Sequence, residues 1–261
     1  MLSKKRRYLQ IALNSSLEEA SDIINQIPLD ERIIVEAGTP LIKEYGAEGI
    51  EKIRLWWERR VVGLPMKPNS VDLNNPLLVN PLLRAIIEKK KTRQENIKKK
   101  LSFSPYIIAD LKCMDRGARE VNIAVKGGAN AATALGHAPK ETLDSFIEKC
   151  EACKLDSMID MMNVEYPLKV LRQLKKLPTV VILHRGVDEE AFNPEKEIPF
   201  HEIQRIKSNY DILIAIAGGD TFRETQRAIF NDADIVVVWK SFYRSTKETA
   251  KLAESFLREI R

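Results

Sequence analysis

The strongest constraint on this chain is a rhythm: short apolar runs of strand length alternate with longer amphipathic segments, and the pair recurs eight times. The runs are RYLQIALN (7–14), RIIVEAGTP (32–40), YIIADLK (106–112), NAATALG (130–136), SMIDMMN (157–163), TVVILHRGVD (179–188), DILIAIAGGD (211–220) and DIVVVWKS (234–241). Between and after them come segments that read as helices. They run from SSLEEASDIINQI, which Ser15 or Ser16 can cap, to the closing TKETAKLAESFLREI. Nearly continuous apolar strands separated by helices belong to a parallel sheet covered on both faces. Eight such units in series predict an α/β chain folded as a (β/α)8 TIM barrel, one domain over residues 1–261.

The rhythm breaks once. Between Trp56 and Pro105 the second and third strands are separated by far more than one helix, which predicts an insertion over residues 56–105. Pro65, Pro68, Pro76 and Pro81 interrupt its first half. The second half, from Leu82 to Leu101, reads as an exposed basic helix carrying Lys89, Lys90, Lys91, Arg93, Lys98, Lys99 and Lys100. Such a charge run is usually a solvated face; contact with nucleic acid or a membrane surface is the alternative. Trp56 and Trp57 suggest that the insertion packs back on the barrel or meets a partner.

The remaining composition bounds the chemistry. With 44% hydrophobic residues and no apolar run near the roughly 20 residues a bilayer span needs, the chain reads as soluble, with no membrane partner. MLSKKRRYLQIAL starts basic but reads as a first strand rather than a signal peptide. Cys113, Cys150 and Cys153 give no even disulfide framework, which implies a reducing, cytoplasmic setting. The Cys150–Cys153 pair could be redox-active or half a metal site; on a helix packed against a sheet it reads as two buried small hydrophobes. A net charge of +5 permits an anionic substrate and does not by itself argue for nucleic acid.

Polar residues gather where the strands end. The third run stops on Asp110, Lys112 and Asp115, three ionisable groups that a strand interior cannot hide without partners. Around the barrel the strand ends offer Asn14, Glu36, Asp110 with Lys112, Gly136 with His137, Asp160 with Asn163, His184 with Arg185, Gly218 with Gly219, and Lys240 with Ser241. Each alone could be a loop residue, but all eight fall on the face where such barrels hold their chemistry.

ADLKCMDRGARE resembles the D-x-K-x-x-D-x-G-x-x-E signature of the 3-hexulose-6-phosphate synthases, a branch of the orotidine-monophosphate-decarboxylase superfamily that also holds 3-keto-L-gulonate-6-phosphate decarboxylase. VEAGTP, MIDMMNV, LHRGVD and IAIAGG continue the resemblance over most of the chain outside the insertion. It implies an aldehyde-lyase that joins formaldehyde to ribulose 5-phosphate, or acts on a related sugar phosphate, through a magnesium-stabilised enediolate. Glu36 and Asp110 would hold Mg2+, and Lys112 would add a second cation. Asp115 would cross to a neighbouring subunit's site, implying a homodimer. His137 would carry a proton, and Gly218 and Gly219 would offer backbone N–H groups to the phosphate. Asn14, Asp160, His184, Arg185, Lys240 and Ser241 complete the expected substrate contacts.

Two departures stand out. The family's first strand ends A-L-D where this chain has Ala12, Leu13 and Asn14, and its glycine-containing eighth turn is replaced by Trp239 and Lys240. Two other readings therefore stay open: a divergent decarboxylase or lyase acting on another phosphorylated substrate, and a non-catalytic binding protein using the basic insertion.

Overall fold

The computed structural model describes residues 1–64, 103–193, 195–244 and 248–260. Eight parallel strands close into a barrel in chain order: β1 (Tyr8–Leu13), β2 (Ile33–Ala37), β3 (Ile107–Cys113), β4 (Ala131–Leu135), β5 (Asp156–Asp160), β6 (Val180–His184), β7 (Leu213–Ala217) and β8 (Ile235–Val238). β1 pairs with β8 from Tyr8 opposite Ile235, which shuts the ring. The expected (β/α)8 barrel is what forms, and the long connection falls between β2 and β3.

Alternation along each strand sorts the core into two. Leu9, Ile11, Leu13, Ile33, Val35, Ile107 and Ala109 point outward into the layer under the helices. Tyr8, Ile34, Ile108, Met158, Val180, Ile182, Leu213, Ala215 and Ile235 point into the barrel. Two residues beyond Tyr8, Ile34, Ile108, Met158 and Ile182, the inward position is polar: Gln10, Glu36, Asp110, Asp160 and His184. Strand periodicity alone stacks these five at one end of the barrel.

The outer layer holds α1 (Leu17–Gln26), α2 (Thr39–Val61), α3 (Gly117–Lys126), α4 (Lys140–Ala152), α5 (Pro167–Leu171), α6 (Val187–Phe192), α7 (His201–Lys207), α8 (Phe222–Phe230), α9 (Lys240–Arg244) and α10 (Thr249–Glu259). Ser16 caps α1, its hydroxyl accepting from the Glu19 N–H at 3.2 Å. Thr221 and Glu224 form a reciprocal cap on α8. α2 bends at Gly46, where φ is 60°.

Three readings of the sequence need correction. The sixth strand stops at His184 rather than running to Asp188. The Gly186 N–H turns to the Glu189 carboxylate at 2.8 Å and starts α6. The eighth stops at Val238 because Asp220 takes the N–H groups of Trp239 and Lys240, and Lys240 begins α9. The helix after the fifth strand is only Pro167–Leu171; the Lys175 N–H, beyond its end, bonds to Asp144 at 2.9 Å.

Trp56 to Val61 prolong α2 into the stretch read as insertion. Trp57 is fully buried, with its ring centroid 6.3 Å from that of Phe103 on the far side of the connection. The basic segment 82–101 and its charge run lie outside the described residues. Cys150 is buried and Cys153 partly so; burial, with Cys153 next, pushes the Cys150 thiol up to about 12, so it packs as an inert hydrophobe. Removing the indole leaves a void that its neighbours can fill only in part. Trp57→Ala is expected to lower unfolding stability by about 3–5 kcal/mol in a denaturant titration, and a loss below about 1 kcal/mol would contradict this packing.

Candidate active site

A cavity of about 300 Å³ opens at the C-terminal ends of the strands. Asn14, Glu36, Asp110, Lys112, Asp160, His184, Arg185, Gly218 and Lys240 line it, together with Gln10, Asp220 and Trp239. Residues drawn from most of the chain thus meet in one pocket.

At its floor sits a desolvated ionic cluster. Lys112 is the hub: its Nζ lies 3.0 Å from Asp110 Oδ2 and 2.9 Å from Asp160 Oδ2. Its backbone is left-handed, with φ at 45°, and the β3–β4 register shifts there. A bulge of this kind aims a side chain at the cost of local strain. Thr133 and Thr39 donate their hydroxyls to Asp110 at 2.6 and 2.8 Å, so both carboxylate oxygens are fixed. Asp160 also receives the Met162 N–H at 2.9 Å, and His184 Nδ1 lies 2.8 Å from its Oδ2.

The electrostatics follow from this crowding. Burial disfavours the Lys112 charge, but Asp110, Asp160 and Glu36 outweigh it and hold the ammonium above its ordinary range. Burial also opposes ionisation of Asp160, yet His184 and then Lys112 bring it well below the usual carboxylate range. Glu36 goes the other way: burial, then the Asp110 carboxylate beside it, push it up to about 8.

Glu36 and Asp110 face each other within hydrogen-bond reach, and Gln10 Nε2 donates to Glu36. Gln10 Oε1, buried in the same place, has no partner. Two abutting carboxylates and an orphaned amide oxygen form a hard-oxygen donor set that fits a small dication. Among the described residues no three His, Cys, Asp or Glu side chains gather as a complete metal cage. The Glu36–Asp110 pair is the number of carboxylates that Mg2+ takes, the rest of its shell being water or substrate oxygens.

Other expected residues lie elsewhere. His137 is exposed on the turn after β4, its ring bonded to the Asn163 carbonyl at 2.9 Å, and it does not line the cavity. The histidine in the cavity is His184. Asp115 is exposed outside this chain's cavity, beside Arg116 and Arg119. Gly219 packs against Ile198 and Glu224. Ser241 donates to the Asp220 carbonyl at 2.8 Å. Neither of these two lines the cavity. Asn14 lies so close over Gly38 that a Cβ there would come within 1.7 Å of its amide oxygen, so only glycine fits. Sequence reasoning overlooked Gln10, Thr39, Thr133 and Asp220. Inward periodicity would have found Gln10 and Thr133, since each lies two residues beyond an inward apolar residue.

Beyond the ends of β6, β7 and β8, Arg185, Gly218, Asp220 and Lys240 line the same cavity. Asp220 accepts from the N–H groups of Trp239, at 2.7 Å, and Lys240. Lys240 Nζ is paired with Glu190 at 2.6 Å. Arg185 Nη2 donates to the Gly218 carbonyl at 2.7 Å and lies 3.2 Å from Glu224. Gly218 needs to be glycine: φ is +89°, and a Cβ would meet the Arg185 carbonyl oxygen at 2.1 Å.

Comparison with known proteins gives the family and the fold. Residues 85–254 match the orotidine 5'-phosphate decarboxylase / HUMPS family. The chain is 33% identical over 254 residues to the bifunctional enzyme Fae/Hps of Methanocaldococcus jannaschii, covering 97% of this chain and 52% of that protein. It is 32% identical over 238 residues to the Fae/Hps of Methanocella arvoryzae, covering 90% and 48%. The chain thus spans about half the length of these curated relatives. The 3-hexulose-6-phosphate synthase of Salmonella typhimurium shares its fold, with a TM-score of 0.68 at 22% identity over 97% of this chain and 99% of that one. So does the KGPDC of Streptococcus mutans, with a TM-score of 0.65 at 17% identity, covering 98% of this chain and 97% of that one. The chain belongs to the orotidine 5'-phosphate decarboxylase / HUMPS family.

Proposed function

We propose that this chain is an aldehyde-lyase of the 3-hexulose-6-phosphate synthase type, joining formaldehyde to ribulose 5-phosphate or a related sugar phosphate. The observation that supports this most is the cluster of Glu36, Asp110, Lys112 and Asp160 on the cavity floor, with His184 beside it. Glu36 and Asp110 would hold Mg2+, with Gln10 orienting Glu36. When bound, the ion supplies a fixed positive charge against oxygens that turn negative during reaction.

The chain's own groups do the rest. His184 is oriented through Nδ1 by Asp160, which leaves Nε2 to take the proton from the ketose carbon next to the carbonyl. Lys112, held charged by its acidic neighbours, opposes the negative charge that then spreads over the two adjacent substrate oxygens. The carbon freed of its proton attacks the formaldehyde carbonyl carbon. A carbon–carbon bond forms, and the former formaldehyde oxygen takes up a proton. The product from ribulose 5-phosphate is D-arabino-hex-3-ulose 6-phosphate. Asn14 would hold a substrate hydroxyl, donating and accepting where a carboxylate could only accept. Asp115, outside this chain's cavity, would complete the site of a second copy in a homodimer. The three free cysteines suit a reducing compartment such as the cytoplasm. Among the described residues no helix is long and apolar enough to cross a membrane.

A second reading, a divergent decarboxylase or lyase of the family acting on another phosphorylated substrate, is favoured by one observation: Asp220 already holds the two N–H groups at the start of α9.

Formaldehyde consumption with ribulose 5-phosphate and Mg2+ tests the first reading. Lys112→Ala should lower kcat/KM by about 100- to 1,000-fold, and an undiminished rate would reject the site. His184→Gln should lower kcat by about 100-fold or more with little change in KM. The same substitution at His137 is the comparison, and a larger loss there would return the proton carrier to His137. Since Glu36 must lose its proton to bind metal, Mg2+ affinity should fall about tenfold per pH unit below about 8. The same carboxyl binds more protons folded than unfolded between 4.5 and about 8, so metal-free stability should decline as pH rises through that window. Calorimetry on wild type and Glu36→Gln separates both effects: the variant should lose them. Mixing inactive Lys112→Ala and Asp115→Ala chains should restore activity if subunits share sites, because one of the two sites in a mixed dimer is intact; no recovery would refute the sharing.

A further inference from the structure

Beyond the ends of β6 and β8 the cavity wall carries two cations, Arg185 and Lys240, and a carboxylate that meets both. Glu190 Oε2 lies 2.6 Å from Lys240 Nζ, and Glu190 Oε1 lies 3.9 Å from Arg185 Nη2. A carboxylate and a phosphate offer the same kind of oxygen to an ammonium or a guanidinium. Glu190 therefore takes up, at Lys240, the position that an oxygen of an anionic ligand would take.

The two partners of this pair are held with different firmness. Lys240 begins α9, and its N–H is fixed by Asp220. Glu190 belongs to α6, none of whose side chains is buried; Val187 and Phe192 there are 47% and 87% exposed. Polar contacts hold that helix instead, from the Gly186 N–H to the Glu189 carboxylate and from Lys196 to Glu189. A helix with no apolar surface to re-expose shifts at small cost. The pair is also partly solvated, with Lys240 20% and Glu190 33% exposed, and ion pairs of that kind are weak. A phosphate ester near neutral pH carries more negative charge than the carboxylate it would replace.

We propose that Glu190 is a specificity-determining residue, an exchangeable counter-ion that keeps Lys240 until the phosphate of the substrate displaces it. Charge drives the exchange, so the site favours a phosphate dianion and gives an uncharged sugar no gain at Lys240. This rests on the reading above that the substrate is phosphorylated, and deepens it by naming the group that sets affinity for the phosphate.

The test needs no turnover. Inorganic phosphate is titrated by calorimetry into the full chain, as wild type, Glu190→Gln and Lys240→Gln. Glu190→Gln keeps the shape and removes the competing charge, so it should bind phosphate about tenfold more tightly. Lys240→Gln should bind it about tenfold more weakly. D-ribulose, the uncharged control, should gain nothing from Glu190→Gln. Amide hydrogen exchange over residues 187–192 should quicken when phosphate is added to wild type, because Glu190 lets go of Lys240. Glu190→Ala serves if Glu190→Gln does not fold. If wild type and the Glu190 variant bind phosphate alike or not at all, if D-ribulose gains as much, or if exchange over 187–192 does not quicken, the inference is overturned. If the expected results appear but ribulose 5-phosphate consumes no formaldehyde, the lyase reading falls and this inference stands.

Discussion

Everything in this barrel's mouth depends on one ammonium. Glu36, Asp110 and Asp160 are carboxyl groups that water scarcely reaches, and Lys112 sets a positive charge among them. A buried charge without a partner costs several kcal/mol. A single ammonium cannot balance three acids, and the shortfall appears at Glu36, whose carboxyl keeps its proton up to about 8. The site is thus short of one positive charge, which a dication bound between Glu36 and Asp110 would supply.

The placement of Lys112 is also where the backbone gives way. A left-handed turn and a register shift against β4 accompany its reach across β4, from Asp110 on its own strand to Asp160 on β5. Thr39 and Thr133 then hold Asp110 from either side, so the acid that the ammonium meets cannot rotate away. Rigidity in this cluster comes from hydroxyl groups on the adjoining strand and helix.

Much of this was legible before any coordinates. The eight apolar runs dictated the barrel, and their polar ends foretold Glu36, Asp110, Lys112, Asp160 and His184 as neighbours, because a closed parallel sheet brings all its C-terminal ends to one rim. What escaped depended on finer geometry. His137 lies past the end of β4, whereas His184 is the last residue of β6, and only the inward phase at His184 puts a ring in the cavity. Asp220 looked like a loop residue after two glycines; its grip on two distant N–H groups arises from a turn that no periodicity reports. Gln10 sat inside an apolar run and was passed over as strand interior, although the alternation that buries Tyr8 also aims Gln10 at Glu36.

The contact between Trp57 and Phe103 has an evolutionary corollary. It ties together the two feet of the longest excursion in the chain, so the ring can close between Val35 and Ile107 whatever lies between those feet. Loop-closure entropy grows only with the logarithm of length. Lineages could therefore lengthen, shorten or exchange that excursion at small thermodynamic cost, while the kinetics of ring closure, sensitive to sequence separation, would register each change.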